Sequence, residues 1–277
     1  MHPRLSVTSL ATPQQQPVAK DIDLFATLGI PHIGVAAWRM AEAGWDDSVA
    51  TLRRSPVPVG YLIHRTMFTL DTPELWPQER ARVNRTIRAA AECGAGVVYT
   101  TTGPAGRLTW EQAAGALAGA VEPCLRQAER SGVALAFETT CQLRQDLGFV
   151  YTLRDQVAVA EATGLNICLD LYWCWREPGL LESVAAAGER LRLLQVSDYE
   201  LGTTSMPLRI VPGDGVVPLE ALLRGIHAAG YRGLVDVELL GPRVDEEGAG
   251  SALGRGAQVV SAMLDRLDHA KSGRTSW

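Results

Sequence analysis

Eight times along the chain a short, almost wholly apolar run is followed by a longer segment whose apolar residues recur at helical spacing. The short runs are Leu5–Leu10, His32–Trp38, Val59–His64, Val97–Thr101, Val133–Thr139, Ile167–Tyr172, Leu191–Ser197 and Leu234–Leu240. Runs this short and apolar throughout predict parallel strands buried on both faces, because an antiparallel strand with one wet face would alternate. The intervening helices are predicted over Val18–Leu28, Asp46–Arg54, Glu79–Cys93, Trp110–Arg130, Leu153–Ala162, Leu180–Arg190, Leu219–Ala229 and Ala257–Leu267. Several stop at a glycine just ahead of the next strand, as at Gly94 and Gly164, where the left-handed C-cap that ends a helix favours a residue without Cβ.

Parallel strands need crossovers, and eight β-then-α units in 277 residues predict a closed (β/α)8 TIM barrel, α/β in class, as one domain over residues 1–277. A doubly wound sheet would call for a glycine-rich loop after the first strand, and Leu10–Pro17 has no glycine. No polar linker divides the chain. Residues 1–4 and 268–277 are expected to be flexible ends, and Glu200–Pro218, after the seventh strand, an active-site loop.

A formal charge of −5 (26 basic, 31 acidic side chains) argues against a nucleic-acid surface. No apolar run reaches the roughly 18 residues of a membrane span, and the first residues lack the apolar core of a secretory leader. Five cysteines without a CxxC pair fit reduced thiols, so a soluble, cytoplasmic protein is expected.

In a TIM barrel the chemistry collects where strands end. The fifth run ends ALAFE at Glu138 and the sixth ICLD at Asp170. The seventh carries Gln195 and Asp198 in LLQVSD, and the eighth ends VDVE at Glu238. Any one carboxylate there could simply cap the following loop, and Asp198 is read that way. Three carboxylates converging at the end of apolar strands would repel one another without a cation. An all-oxygen set, Glu138, Asp170, Gln195 and Glu238, predicts one hard divalent metal, Mn²⁺ or Mg²⁺.

The segments FET (137–139), CLDLYW (168–173), LQVSDY (194–199), LRIVPGDG (208–215) and VDVELLG (235–241) resemble the xylose-isomerase-like sugar isomerase/epimerase superfamily. There a Glu, an Asp, a His and a Glu on the fifth to eighth strands bind the metal, which the resemblance maps onto Glu138, Asp170, Gln195 and Glu238. It also implies that Glu138 and Glu238 flank the substrate as catalytic acid and base, and that Arg209, before the Pro212–Gly215 loop, contacts substrate. Two positions depart from the pattern: Gln195 replaces histidine, and Trp173 stands where a histidine that supports the metal ligands is usual.

His64, ending the third run, is read as a substrate-oxygen donor or a backbone-bonded strand end, with Arg65 or Arg209 near an anionic or hydroxylated tail. Trp38 and Trp173 are read as an aromatic wall over the substrate; His2, His32, His227 and His269 are read as structural or terminal. The leading expectation is a metal-dependent isomerase or epimerase of a small keto-sugar, inosose or related polyol ketone, working through an enediolate that the metal stabilises. The alternatives are a dehydratase (lyase) of the inosose or 3-dehydroshikimate type, towards which Gln195 leans, and a non-catalytic ligand-binding barrel. A histidine-rich zinc endonuclease on the same barrel is disfavoured by only five histidines. The partner is a small molecule. Dimers and tetramers are common in that superfamily, so a homo-oligomer stays open, with no interface signature to select one.

Overall fold

The computed structural model describes residues 1–272 apart from 66, 205 and 207. Eight parallel strands, β1 (Leu5–Thr8), β2 (Ile33–Ala36), β3 (Val59–Ile63), β4 (Val97–Thr100), β5 (Ala134–Glu138), β6 (Asn166–Asp170), β7 (Leu191–Val196) and β8 (Leu234–Val237), pair in sequence order. β8 closes on β1, with Leu5 opposite Val235 and Val7 opposite Val237. Outside lie α1 (Val18–Thr27), α2 (Ala37–Ala43), α3 (Trp45–Arg53), α4 (Trp76–Cys93), α5 (Trp110–Arg130), α6 (Leu153–Thr163), α7 (Leu171–Cys174), α8 (Leu180–Ala187), α9 (Leu219–Ala228), α10 (Pro242–Glu247) and α11 (Ala249–Ser272). The predicted TIM barrel is the observed fold.

Alternation along each strand makes two cores. Outward residues such as Val7, Leu62, Val98, Leu135, Leu169 and Val237 pack under the helices. Inward residues Tyr61, Ile63, Tyr99, Ala136, Cys168 and Leu193 fill the lumen. The lumen is tight at β2: a Cβ at Gly34 would stand 1.9 Å from the Tyr61 ring, and Tyr61 is fully buried with no room to swing.

The predicted strands run one to three residues too far. At β2 and β6 the chain leaves the barrel directly into the short helices α2 and α7, whose first apolar residues extend the strand pattern, and at β8 Leu239 and Leu240 do so ahead of α10. The last helix is longer than predicted because glycines suppressed the helical signal. Gly250, Gly254 and Gly256 sit where a Cβ would press on Leu24, Leu28 and Val237 at 3.1–3.3 Å, so their absent side chains let α11 approach α1 and the barrel closely.

Residues 1–4 differ from the expected loose end. His2 is buried; its N–H donates to Ser261 Oγ (2.7 Å) and its Nε2 meets Asp268 Oδ2 (3.0 Å), while Arg4 Nε donates to the Gly233 carbonyl. The start of the chain is tied because β1 must be held between β2 and β8. At the other end α11 continues to Ser272, and residues 273–277 of the expected flexible tail lie outside the described residues. All five cysteines are unpaired, and no described helix is long and apolar enough to cross a membrane.

Gly34→Ala is expected to destabilise the fold by about 1–3 kcal/mol, the usual cost of overpacking a filled core. Urea unfolding of the two proteins checks this; equal midpoints would show that the Tyr61 ring is not fixed as described.

Candidate active site

Glu138 ends β5, Asp170 ends β6 and, across β7, Glu238 follows β8, so three strands of one side of the barrel each bring a carboxylate to the rim. Ligand oxygens of the three lie within 4.8 Å of one another. Asp170 and Glu238 are buried and Glu138 is half-buried. Beside them a cavity of about 160 Å³ is lined by Glu138, Glu238, Trp173, Arg209, Thr101 and Leu240 among others.

Asp170 is fixed first by local structure. It is the N-cap of α7, its Oδ1 accepting the Tyr172 N–H at 3.0 Å. Arg209 then clamps the same carboxylate at both oxygens, Nη1 to Oδ1 at 3.1 Å and Nη2 to Oδ2 at 2.6 Å. Nη1 also donates to Ser197 Oγ (3.2 Å), and Nη2 lies 3.1 Å from Glu238 Oε2. The guanidinium rests over the Tyr172 and Trp173 rings, 4.6 and 5.4 Å from their centroids. Burial works against the charged guanidinium, but Asp170 and then Glu238 outweigh it and raise its pKa.

Arg209 reaches this position on the loop between β7 and α9. Asp198 organises that loop, as its sequence reading as a cap implied: Oδ1 accepts the N–H of Tyr199 and Val217, and Oδ2 that of Gly213, all at 2.9 Å. Asp198 and Ile210 pair as an isolated antiparallel bridge. A Cβ at Gly215 would fall 2.4 Å from Asp198 Oδ1 and 2.5 Å from the Tyr199 carbonyl, so the loop closes only over glycine.

Gln195 is fully buried at the end of β7, but its amide is engaged inside the lumen. Nε2 donates to Tyr99 Oη at 3.1 Å, and Oε1 accepts the Cys168 thiol at 3.0 Å. Tyr99 in turn donates to Glu238 Oε1 at 3.4 Å. In this arrangement the Gln195 amide bonds to Tyr99 and Cys168 within the lumen, with Tyr99 reaching on to Glu238. Asp236, two residues before Glu238, is also fully buried in the lumen and accepts Ser6 Oγ at 2.8 Å. Tyr99 and Asp236 were not singled out from the sequence, although the two-residue period of β8 puts Asp236 on the same face as Glu238.

Three carboxyl groups, Glu138, Asp236 and Glu238, are pushed above their ordinary range. Burial raises Glu238 to about 7, opposed by Arg209 and reinforced by Asp170 and Asp236. Asp236 is raised to about 7, again chiefly by burial. Glu138 is raised by burial and by the negative charges of Glu238 and Asp170, against which Arg209 and a hydrogen bond from Trp173 act. The group of three hard oxygen donors fits a divalent cation, and Glu238 Oε2, buried and met only by the Arg209 ion pair at 3.1 Å with no well-aligned hydrogen bond, keeps a lone pair such an ion would take.

The other residues singled out from sequence divide. Trp173 and Arg209 line the cavity beside the carboxylates. His64 and Trp38 do not; they line a separate pocket over β2 and β3. His64 faces α4, its Nδ1 2.8 Å from Thr86 Oγ, because Tyr61 and Ile63 already take the inward positions of β3. Burial and then Arg82 lower its pKa to about 4, so the ring is neutral near pH 7.

A carboxyl whose pKa rises on folding from 4.5 to about 7 stabilises the fold fully below 4.5 and loses that contribution as pH rises through 7. The metal-free protein should therefore lose melting temperature between about pH 5 and pH 8 through Glu238, and a bound cation, which needs the ionised form, should offset the loss and release protons. Melts across that range in EDTA and in Mn²⁺ or Mg²⁺ check this; parallel curves would remove the metal assignment.

No curated protein matches the sequence. Among solved structures, a protein of Sinorhizobium meliloti 1021, SMc04130, superposes with a TM-score of 0.79 at 23% identity, covering 96% of this chain and 98% of that one. D-psicose 3-epimerase of Clostridium cellulolyticum H10, solved with D-tagatose, superposes with a TM-score of 0.72 at 15% identity (96% and 98% covered). The IOLI protein, solved with a bound zinc atom, gives 0.80 at 16% identity (95% and 99% covered). At these identities the likeness is one of fold. The family model described as xylose isomerase-like TIM barrel matches residues 22–259, most of the chain, and the protein belongs to that family.

Proposed function

We propose that the protein is an isomerase or epimerase of a small keto-sugar, inosose or related polyol ketone, with Glu138 and Glu238 as its catalytic acid and base. The observation that carries this reading is the convergence of two raised-pKa carboxyl groups on one cavity at the mouth of the barrel. A general acid or base works best when its pKa lies near the working pH, and burial moves Glu238 there. The family match and the sugar epimerases among the structural neighbours support the same class.

In this reading Glu138, Asp170 and Glu238 would hold a divalent cation, Mn²⁺ or Mg²⁺ by the hardness of the donors. Bound there, it would supply Lewis acidity towards a ketone and its adjacent hydroxyl. One glutamate removes the proton from the carbon next to the ketone, and the other delivers a proton to the opposite face or to the neighbouring carbon. Tyr99, itself oriented by Gln195, donates to Glu238 and sets the carboxylate's direction. Arg209, buried against Asp170 and stacked on Tyr172 and Trp173, places a fixed positive charge beside the cavity, where negative charge on the substrate oxygen develops. Trp173 closes one wall and excludes water.

Glu138→Gln and Glu238→Gln are each expected to lower kcat about 10²–10⁴-fold, the usual worth of a positioned acid or base, with a smaller change in KM. A panel of ketoses and inososes followed by NMR in D₂O checks it, since solvent deuterium should enter the carbon beside the ketone. Turnover unchanged in both variants would end the assignment. A product with the ultraviolet absorbance of a conjugated enone would assign the protein to the lyases instead.

A further inference from the structure

The cavity beside the carboxylates is less polar than a fully hydroxylated substrate would need. Its volume of about 160 Å³ is small, below the roughly 300–1,000 Å³ of pockets that take drug-sized ligands, so it holds one short chain or one small ring. Leu147, Trp173, Met206 and Leu240 share its lining with Glu138 and Glu238, and apolar surface predominates. These four side chains come from separate places: the segments after β5, β7 and β8, and the short helix α7. The Leu147 carbonyl accepts the Gly103 N–H at 2.8 Å and the Leu240 carbonyl the Arg209 N–H at 3.2 Å, so both leucines are held from the backbone. Trp173 is fixed between the Arg209 guanidinium, 5.4 Å from its ring centroid, and the Tyr172 ring, edge-on at 4.7 Å.

The polar groups of the lining are largely committed to one another. Arg209 donates to both oxygens of Asp170 and to Ser197, and pairs with Glu238. Arg144 closes on Asp146 through Nε and Nη2, both at 2.9 Å. Thr140 lines the cavity, but its hydroxyl oxygen has no exposed surface. A substrate that gives its ketone and the adjacent hydroxyl to the carboxylate end therefore meets hydrocarbon over much of the remainder. A further hydroxyl there would lose its water without gaining a partner, whereas a methyl or methylene would gain by burial. The C–H face of a sugar laid on Trp173 would account for one apolar wall. It does not call for aliphatic side chains brought in from three other segments.

We propose that the substrate is a deoxy polyol ketone, one that keeps the ketone and an adjacent hydroxyl but carries hydrogen or methyl in place of a further hydroxyl, and that Leu147 and Leu240 select it. The proposal rests on the function given above, and the deoxygenated part takes no share in the proton transfer. An apolar wall discriminates against an added hydroxyl only about 10²-fold, so the preference expected is about tenfold to a hundredfold in kcat/KM.

Rates measured with Mn²⁺ present on matched pairs test it: a ketohexose against its 1-deoxy and 6-deoxy forms, and an inosose against a deoxy form. At least one deoxy compound is expected to exceed its parent about tenfold or more in kcat/KM. Leu147→Asn and Leu240→Asn, with folding checked by circular dichroism, should each bring that ratio down towards one. Leu143→Asn, at a leucine 79% exposed on the same segment as Leu147 and outside the cavity lining, should leave it unchanged. Parents turned over as well as or better than every deoxy form overturn the proposal, as does a ratio that persists in both cavity variants. Calorimetric titration with the same pairs needs no turnover and separates the two readings. Tighter binding of a deoxy compound without turnover removes the isomerase assignment and keeps the apolar selection, and turnover with the parent preferred removes the selection alone. Neither turnover nor binding of any pair removes both.

Discussion

Everything at the mouth of this barrel is arranged around one buried ion pair, Arg209 with Asp170. Both partners are almost wholly shielded from water, 4% and 0% exposed. Taking two such charges out of water costs several kcal/mol each, recovered only if the geometry is good and every remaining donor and acceptor is met. Here the contact is two-pronged, Ser197 and the α7 amide take further hydrogen bonds, and two aromatic rings cover the guanidinium. The pair fixes the β7–α9 loop against β6, and with it one wall of the cavity. Removing either partner would leave the other buried and uncompensated, so the pair is a structural commitment as much as a chemical one.

The remaining charge imbalance has a chemical consequence. One guanidinium faces Asp170, Glu238 and, farther off, Glu138, and the lumen beneath adds Asp236. Burial with too little positive charge raises the pKa of both glutamates. The site must either retain protons or accept a cation. Gln195 lies beneath it. Its amide donates to Tyr99 and accepts from Cys168, and Tyr99 in turn donates to Glu238.

Much of this was legible before the fold was known, because it rests on period and punctuation. The eight apolar runs and the glycine C-caps specify a closed parallel barrel, and the last polar residue of a strand must then lie at the rim; Glu138, Asp170 and Glu238 follow from that rule alone. The errors were also local in origin. Strand ends were overrun where apolar residues continue past the strand, at β2 and β6 into short helices, and α11 was cut short because its glycines serve packing against α1 rather than a turn. Residues 1–4 were read as loose from composition, although closure of the barrel holds them.

The sequence by itself determined the architecture and which carboxylates share the rim, since both depend on spacing along the chain. It could not say which way a residue just beyond a strand would turn. His64 and Trp38 look equivalent to Trp173 in sequence, yet His64 turns to α4 and Trp38 lines the same separate pocket while packing on the lumen residues, whereas Trp173 lines the cavity beside the carboxylates. Nor could it bring Arg209 onto Asp170, 39 positions away, or hide the Gln195 amide in the lumen. Those outcomes were decided by tertiary structure, because they depend on which buried donor meets which buried acceptor once the barrel has closed.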